Sequence, residues 1–284
     1  MSYCKYPNRC RYALVGLMSL LVMLNFAFAA PDSRAESDTK TRLLAPIKKF
    51  FSADKSEISD KDFLDFAATD YGKLLEVMKA NYDASIADYT GIFTKQERLK
   101  KKLLKPQVIS FKFRNKPFSI FMQWKKNPGK ADRMLYVKGQ NNNKMVVHPR
   151  GLLGFIRSVE RDPKGKDALK TSLRSCDQFG MRNLLNRVTG LYKGNVKDKG
   201  FTAKYIGTEK IDKRPCIVLE MIMPNNKIST TRRLVLVVDM EYRLPVSITS
   251  LDGKGNLISK YSYTSLRFNN GFKDANFTKK ANKL

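Results

Sequence analysis

The sequence predicts a mainly β protein of the α+β type, with one large curved antiparallel sheet covered by helices. Three observations predict it. Some ten short stretches read as strands, several with clear apolar/polar alternation, and turn sequences separate them. A segment of helical spacing precedes them, over about 60–87, and a run without alternation, about 152–195, divides them into two groups. A sheet this wide does not stay flat, so it curls into a barrel or a half-barrel.

The chain of 284 residues begins with a basic stretch, Lys5, Arg9 and Arg11, with no acidic residue before Asp32. An apolar run from Tyr12 to Ala30 follows and ends on Ala27-Phe28-Ala29. This is the layout of an export signal over residues 1–30, cleaved after Ala29 or Ala30. The alternative is an uncleaved anchor in the inner membrane, because the run is nearly long enough to span a bilayer. Cys4 and Cys10 precede the apolar run, so neither is an acylated lipoprotein cysteine, and cleavage removes both. Residues 31–59 are polar and aperiodic, and read as a linker. Within them TRLLAPIKKFF, Thr41–Phe51, has the composition of a membrane-surface segment, but Pro46 interrupts it and favours the linker.

A net charge of +28 and a pI near 10 point to acidic partners. Nucleic acid fits the charge, but an exported protein meets anionic lipid and acidic envelope polymer instead. The sequence therefore predicts no nucleic-acid partner and a location in the periplasm of a Gram-negative bacterium.

From residue 60 to 284 the chain reads as one domain. Ser59 is placed to cap a helix whose first turn is acidic. Phe63, Leu64, Phe66 and Ala67 share one face, Gly72 is a candidate break, and Leu74, Leu75, Met78, Tyr82 and Ile86 continue the stripe. Strands follow over DYTGIFTKQERL, PQVISFKF, FSIFMQW, DRMLYV and KMVVHP. In the second of these Ile109, Phe111 and Phe113 fall on one face, with Ser110, Lys112 and Arg114 on the other, as in a sheet with one apolar and one wet side. After the aperiodic middle, strands resume over FTAKYIGTEKI, RPCIVLEMIMP, TTRRLVLVVD, PVSITSLD and LISKYSYTSLRF.

Catalytic signatures are missing. The single histidine, His148, lies in VVHPRG with no nucleophile elbow nearby. Cysteines and histidine do not cluster as zinc ligands, and no carboxylate pair stands out. The reading is of a protein that is not an enzyme, with no cofactor and no metal. After export two cysteines remain, Cys176 and Cys216. They form a disulfide or stay as two free thiols, because sequence does not give their geometry.

In FSIFMQWKK, Phe118, Ile120, Met122 and Trp124 share one face, while Ser119, Phe121, Gln123 and Lys125 share the other. A single-strand nucleic-acid platform would expose its aromatics among basic residues. Here the larger apolar residues segregate, which favours an apolar interior, either a packed core or a ligand cavity.

Several pieces together resemble the superfamily of the periplasmic lipoprotein carrier LolA: DYTGIFTKQE after a helix, KPFSIFMQWKKNP, VKGQNNNKMVV, and LPVSITSLDGKGNLISKYSYTSLRFNNG followed by DANFT. The resemblance covers about 74–278. YTGIFTKQERL, PFSIFMQW, LYVKGQNNNK and VVHPRGLLG resemble more closely an uncharacterised family of exported bacterial proteins, a domain of unknown function, over about 75–195. The superfamily implies an open half-barrel, LolA-like, whose helices cover an apolar cavity. Lys116 stands before Pro117 where the carrier has arginine, and a lysine is a point charge rather than a planar fork. The spacing from Pro117 to Trp124 is also longer than in the carrier.

The expectation is a binding or carrier protein of the cell envelope for a lipid, an acyl chain or a lipoprotein. Phe111, Phe113, Phe118, Ile120, Met122, Trp124, Leu135 and Val137 are its apolar cavity candidates. Lys116, Lys125 and Lys126 are candidates to meet headgroups at the rim, against an anionic membrane surface or acidic polymer. The alternative is an envelope protein-interaction or stress-sensing module with a filled cavity and a basic docking surface.

Overall fold

The computed structural model describes residues 58–224 and 230–284, so the export signal, the Thr41–Phe51 segment and nearly all of the linker lie outside the described residues. Ser59 opens the first helix. Its hydroxyl accepts the Asp62 N–H at 3.0 Å, and the Asp62 carboxylate accepts the Ser59 N–H at 3.2 Å, a reciprocal cap. Helix α1 spans Asp60–Thr69 and α2 spans Tyr71–Ser85. The break falls at Asp70 and not at Gly72. Asp70 accepts the Lys73 N–H at 2.8 Å and caps α2, so Gly72 sits inside the first turn.

Twelve strands form one antiparallel sheet. They are β1 Asp88–Leu99, β2 Lys102–Leu103, β3 Gln107–Arg114, β4 Ser119–Lys126, β5 Ala131–Val137, β6 Met145–Pro149 and β7 Val159–Arg161, then β8 Thr202–Ile211, β9 Arg214–Ile222, β10 Arg233–Asp239, β11 Leu244–Leu251 and β12 Leu257–Phe268. The order is β7-β6-β5-β4-β3-β1-β12-β11-β10-β9-β8, with β2 paired to the end of β1. β7 and β8 are the two edges, so the sheet is open. The ten predicted strands are all present. β2 and β7 were hidden in the sequence because two or three residues are too few to show alternation.

This order dictates the cover. The chain leaves the sheet at β7 and must reach the opposite edge at β8. The connecting segment therefore crosses the concave face. It carries a one-turn helix α3, Lys166–Leu169, and a longer helix α4, Met181–Asn195. Tyr192 of α4 stacks on Tyr71 of α2 with ring centroids 5.6 Å apart. The main core lies between the concave face and these helices. Phe63, Leu74, Leu75 and Met78 from the helices meet Ile109, Ile120, Leu219 and Leu236 from the sheet.

The convex face is not uniformly wet. Phe121, Leu135, Val137 and Val146 form a second cluster with Phe277, which belongs to the short turn Asp274–Phe277 after β12. Arg114 is buried there, 2.7 Å from Asp274 and 5.1 Å from the Phe277 ring. Alternation in β3 to β5 thus separates two apolar layers, because the C-terminal tail folds back over the outside of the sheet.

Candidate functional site

A cavity of about 780 Å³ opens between the concave face and the crossing segment. Its sheet wall comes from alternate residues of neighbouring strands: Phe93 (β1), Ile109 (β3), Met122 and Trp124 (β4), Met134 (β5), Val147 (β6) and Tyr263 (β12). The antiparallel register sets Ile109 opposite Trp124, and Met122 opposite both Phe111 and Met134. Side chains of like direction therefore form one continuous surface. The roof is Phe179 and Leu184, with Cys176 in the turn before them.

Phe179 divides the concave face. Its ring lies 5.1 Å from Phe111 and 5.7 Å from Phe113 on one side, and 5.2 Å from Phe93 and 5.8 Å from Tyr263 on the other. Gly180 makes the approach possible. Its φ is +107°, and a Cβ there would stand 3.1 Å from Phe113 Cζ. The cavity lies on the Phe93 and Tyr263 side of this ring, and Phe111 and Phe113 do not line it.

The cavity has a polar end. Glu97 is buried, yet fully engaged. Tyr261 donates its hydroxyl to Glu97 at 2.6 Å, Lys95 Nζ lies at 3.3 Å, and the Leu173 N–H and Ser172 hydroxyl donate at 3.3 and 3.4 Å. Arg174 and Arg187 each hold a guanidinium 6.0 Å from the centre of the Tyr261 ring. Burial, with Arg174 nearby, pushes the Arg187 guanidinium down to about 10, which leaves it cationic at neutral pH. Burial raises the phenols of Tyr261 and Tyr263, and the Glu97 charge adds to the shift at Tyr261. The mouth is basic, with Lys130, Arg150, Arg161 and Lys170 exposed around it and Asp167 the only acid among them. Leu152 at the mouth is 96% exposed and nearby Phe155 is 82% exposed.

Of the candidates named from sequence, Met122 and Trp124 line this cavity. Phe111, Phe113, Phe118 and Ile120 belong to the packed core instead, behind Phe179. Leu135 and Val137 face the other way. They alternate with Met134 and Tyr136, which belong to the concave core, so their own side chains lie in the convex cluster. Lys116, Lys125 and Lys126 are exposed and none lines the cavity. Lys125 instead donates to Gln123 at 2.8 Å. Cys176 and Cys216 are free thiols, one in the roof turn and one in β9. Burial, with Asp177 nearby, pushes the Cys176 thiol up to about 12, so it is not a thiolate nucleophile at neutral pH. His148 Nδ1 pairs with Asp132 at 2.6 Å, away from the cavity lining. Among the described residues no group of His, Cys, Asp or Glu side chains is placed to hold a metal, and no helix is long and apolar enough to cross a membrane.

Sequence reasoning passed over Phe93, Tyr261, Tyr263, Phe179, Arg174 and Arg187 as site residues. Phe93 and the two tyrosines carried a signal, the period of two in GIFTK and KYSYTS. Arg187 interrupts the apolar stripe of α4 three residues after Leu184. Phe179 and Arg174 carried none, because their segment has no period.

The family model for DUF1571, a protein of unknown function, matches residues 86–283. No curated protein matches the chain. Solved structures do. A DUF1329 family protein from Desulfovibrio piger is 16% identical over 75% of this chain and 98% of that one, with a TM-score of 0.36. MucB in the Pseudomonas aeruginosa MucA/MucB complex is 14% identical over 74% of this chain, which spans only 61% of that one, with a TM-score of 0.44. A LolA superfamily protein from Nitrosomonas europaea is 9% identical over 73% of this chain and 97% of that one, with a TM-score of 0.23. Identities and scores at this level carry nothing about ligands.

Proposed function

The chain belongs to the DUF1571 family, and from that premise we propose that it binds a lipid, an acyl chain or the lipid part of a lipoprotein in the cavity, without chemical conversion. One observation carries the reading. The cavity of about 780 Å³ is walled by Phe93, Ile109, Met122, Trp124, Met134 and Phe179, and its volume falls in the roughly 300–1,000 Å³ range of small-ligand sites. The basic mouth and the signal expected over residues 1–30 support a place in the cell envelope, against anionic lipid or acidic polymer.

Trp124 is the only tryptophan of the chain and lines the cavity. Its fluorescence therefore reports occupancy directly. A brominated long-chain alcohol should quench it saturably, and Met122→Lys, in a protein that still folds, should abolish the quenching. Native mass spectrometry of the freshly purified chain should show a co-purifying lipid. An unquenched Trp124 and a lipid-free protein would refute the reading.

A second reading, docking of the mouth on another envelope component, rests on Leu152 and Phe155, which are large, apolar and exposed. Replacing both with serine should release the chain from anionic vesicles and leave Trp124 quenching by the alcohol unchanged. Retention on vesicles equal to wild type would count against it.

A further inference from the structure

We propose that Arg174 and Arg187 form an anion-binding pole inside the cavity, so that its ligand is a single-chain amphiphile with a carboxylate or phosphate head. The inference rests on the cavity-binding reading and narrows it.

Other enclosed arginines of this chain have partners. Arg214 is held by Asp239, Arg114 by Asp274 and Arg243 by Asp60, while Arg98 donates to the Leu257 and Lys101 carbonyls. Each pair compensates a guanidinium that has lost part of its hydration. Arg174 and Arg187 break this pattern. Among the described residues neither guanidinium has a carboxylate or a hydrogen-bond partner. Arg174 Nε is cut off from solvent as well, with no acceptor. Two like charges share one partly dehydrated space, where burial first and the neighbouring Arg174 second lower the Arg187 value. Such a pair is costly unless something anionic completes it.

The described residues do not supply that anion. Among them Glu97 is the one carboxylate at this end of the cavity, and Lys95, Tyr261, Leu173 and Ser172 already occupy it. Tyr261 stands between, its hydroxyl turned to Glu97 and its ring to the two guanidiniums, a contact that steadies them in place. Two guanidiniums present forked donors suited to the oxygens of a carboxylate or a phosphate. The adjoining wall of Ile109, Met122, Trp124 and Met134 offers no donor apart from the indole N–H, which goes to Gln107 at 3.2 Å. A charged head at one end and a bare apolar wall beyond it match an amphiphile, and neither a free anion nor a neutral hydrocarbon uses both.

The test compares probes that share one chain length. Palmitate, hexadecyl phosphate and hexadecanol are titrated against the full chain, with Trp124 fluorescence as the readout, and inorganic phosphate is added as a competitor. The expected result is a preference of about tenfold or more for either anionic probe over the alcohol, the scale of one charge-assisted hydrogen bond. In the double variant Arg174→Gln, Arg187→Gln that ratio should fall towards one. In Arg174→Lys, Arg187→Lys it should persist in part. Equal wild-type affinities for hexadecanol and both anionic lipids overturn the inference and leave the cavity reading standing, whatever the variants do. So does a preference that survives the double Gln substitution. Phosphate binding without any preference for the anionic lipids shows a free-anion site and overturns it too. Failure of all three chain-bearing probes overturns the cavity reading, and the inference with it.

Discussion

Glu97 holds the polar end of the cavity together. It is buried on β1, and its carboxylate gathers Lys95, the Tyr261 hydroxyl and the backbone of the crossing segment at Leu173. Removing it leaves the mostly buried Lys95 with only the Ser172 hydroxyl and no counter-charge, and the Tyr261 hydroxyl without its acceptor. Glu97→Ala should therefore lower stability by about 3 kcal/mol or more, read from urea unfolding, because breaking a buried ion pair leaves one charge uncompensated. His148 is the contrasting case. It pairs with Asp132 between β6 and β5, outside the cavity lining. His148→Ala should leave Trp124 quenching by lipid unchanged, and a selective loss of binding in the folded variant would reopen a role for it. At this scale the sequence was legible only where a residue sat in a period. Met122 and Trp124 could be placed, since β4 alternates. Arg174 could not, since its neighbours in the chain have no repeat and its partner in the cavity is 13 residues further on, in α4.

The informative element is the crossing segment. A sheet whose two halves each proceed by neighbouring hairpins leaves its edges β7 and β8 far apart, and the chain has to pass over the concave face to join them. Gly180 is the hinge of that passage, with φ at +107° and Phe113 Cζ 3.1 Å from where a Cβ would lie. Gly180→Ala should cost about 1–3 kcal/mol through backbone strain and contact. That corresponds to a fall in Tm of roughly 2–4 °C per kcal/mol for a chain of this size. A melt equal to wild type would show that the roof relaxes freely. The long strands were readable because sustained alternation suits a half-buried strand and does not suit a helix, whose period is near four. The wetness of their outer face was misread. The tail that covers β3 to β5 is contributed by residues 274–284, and nothing within Gln107–Val137 announces it.

For the molecule as a whole, the aromatic interior sets the alkaline limit of stability. Burial raises the phenols of Tyr71, Tyr82, Tyr89, Tyr261 and Tyr263 above their ordinary value. The folded state keeps each neutral, while the unfolded chain ionises near pH 10. Each therefore contributes stability that is fully present below about pH 10 and lost as pH rises towards its folded value, at roughly 1.4 kcal/mol per pH unit per tyrosine. The thermal melt should fall steeply above about pH 10. Tyrosinate absorbance should rise in two steps, the second coinciding with loss of the circular dichroism of the fold. A single early step with the fold intact would contradict the burial of these rings.

The sequence by itself determined the kinds of element, their order, the positive charge and the family. Each of these is local or additive: a period, a cap, a sum, a run of matched residues. Tertiary structure alone decided which side chains meet a neighbour and which meet space. Phe111 and Phe113 have the same period and chemistry as Phe93. They are core because Phe179, from a segment some seventy residues away, lies against them. Phe93 borders the cavity because that same ring stops short of filling it. Arg174 and Arg187 share a charge with every other basic residue of the chain. What sets them apart is that, among the described residues, the only carboxylate in the space they enter, Glu97, is already engaged, and that depends on where strands β1 and β12 and helix α4 converge.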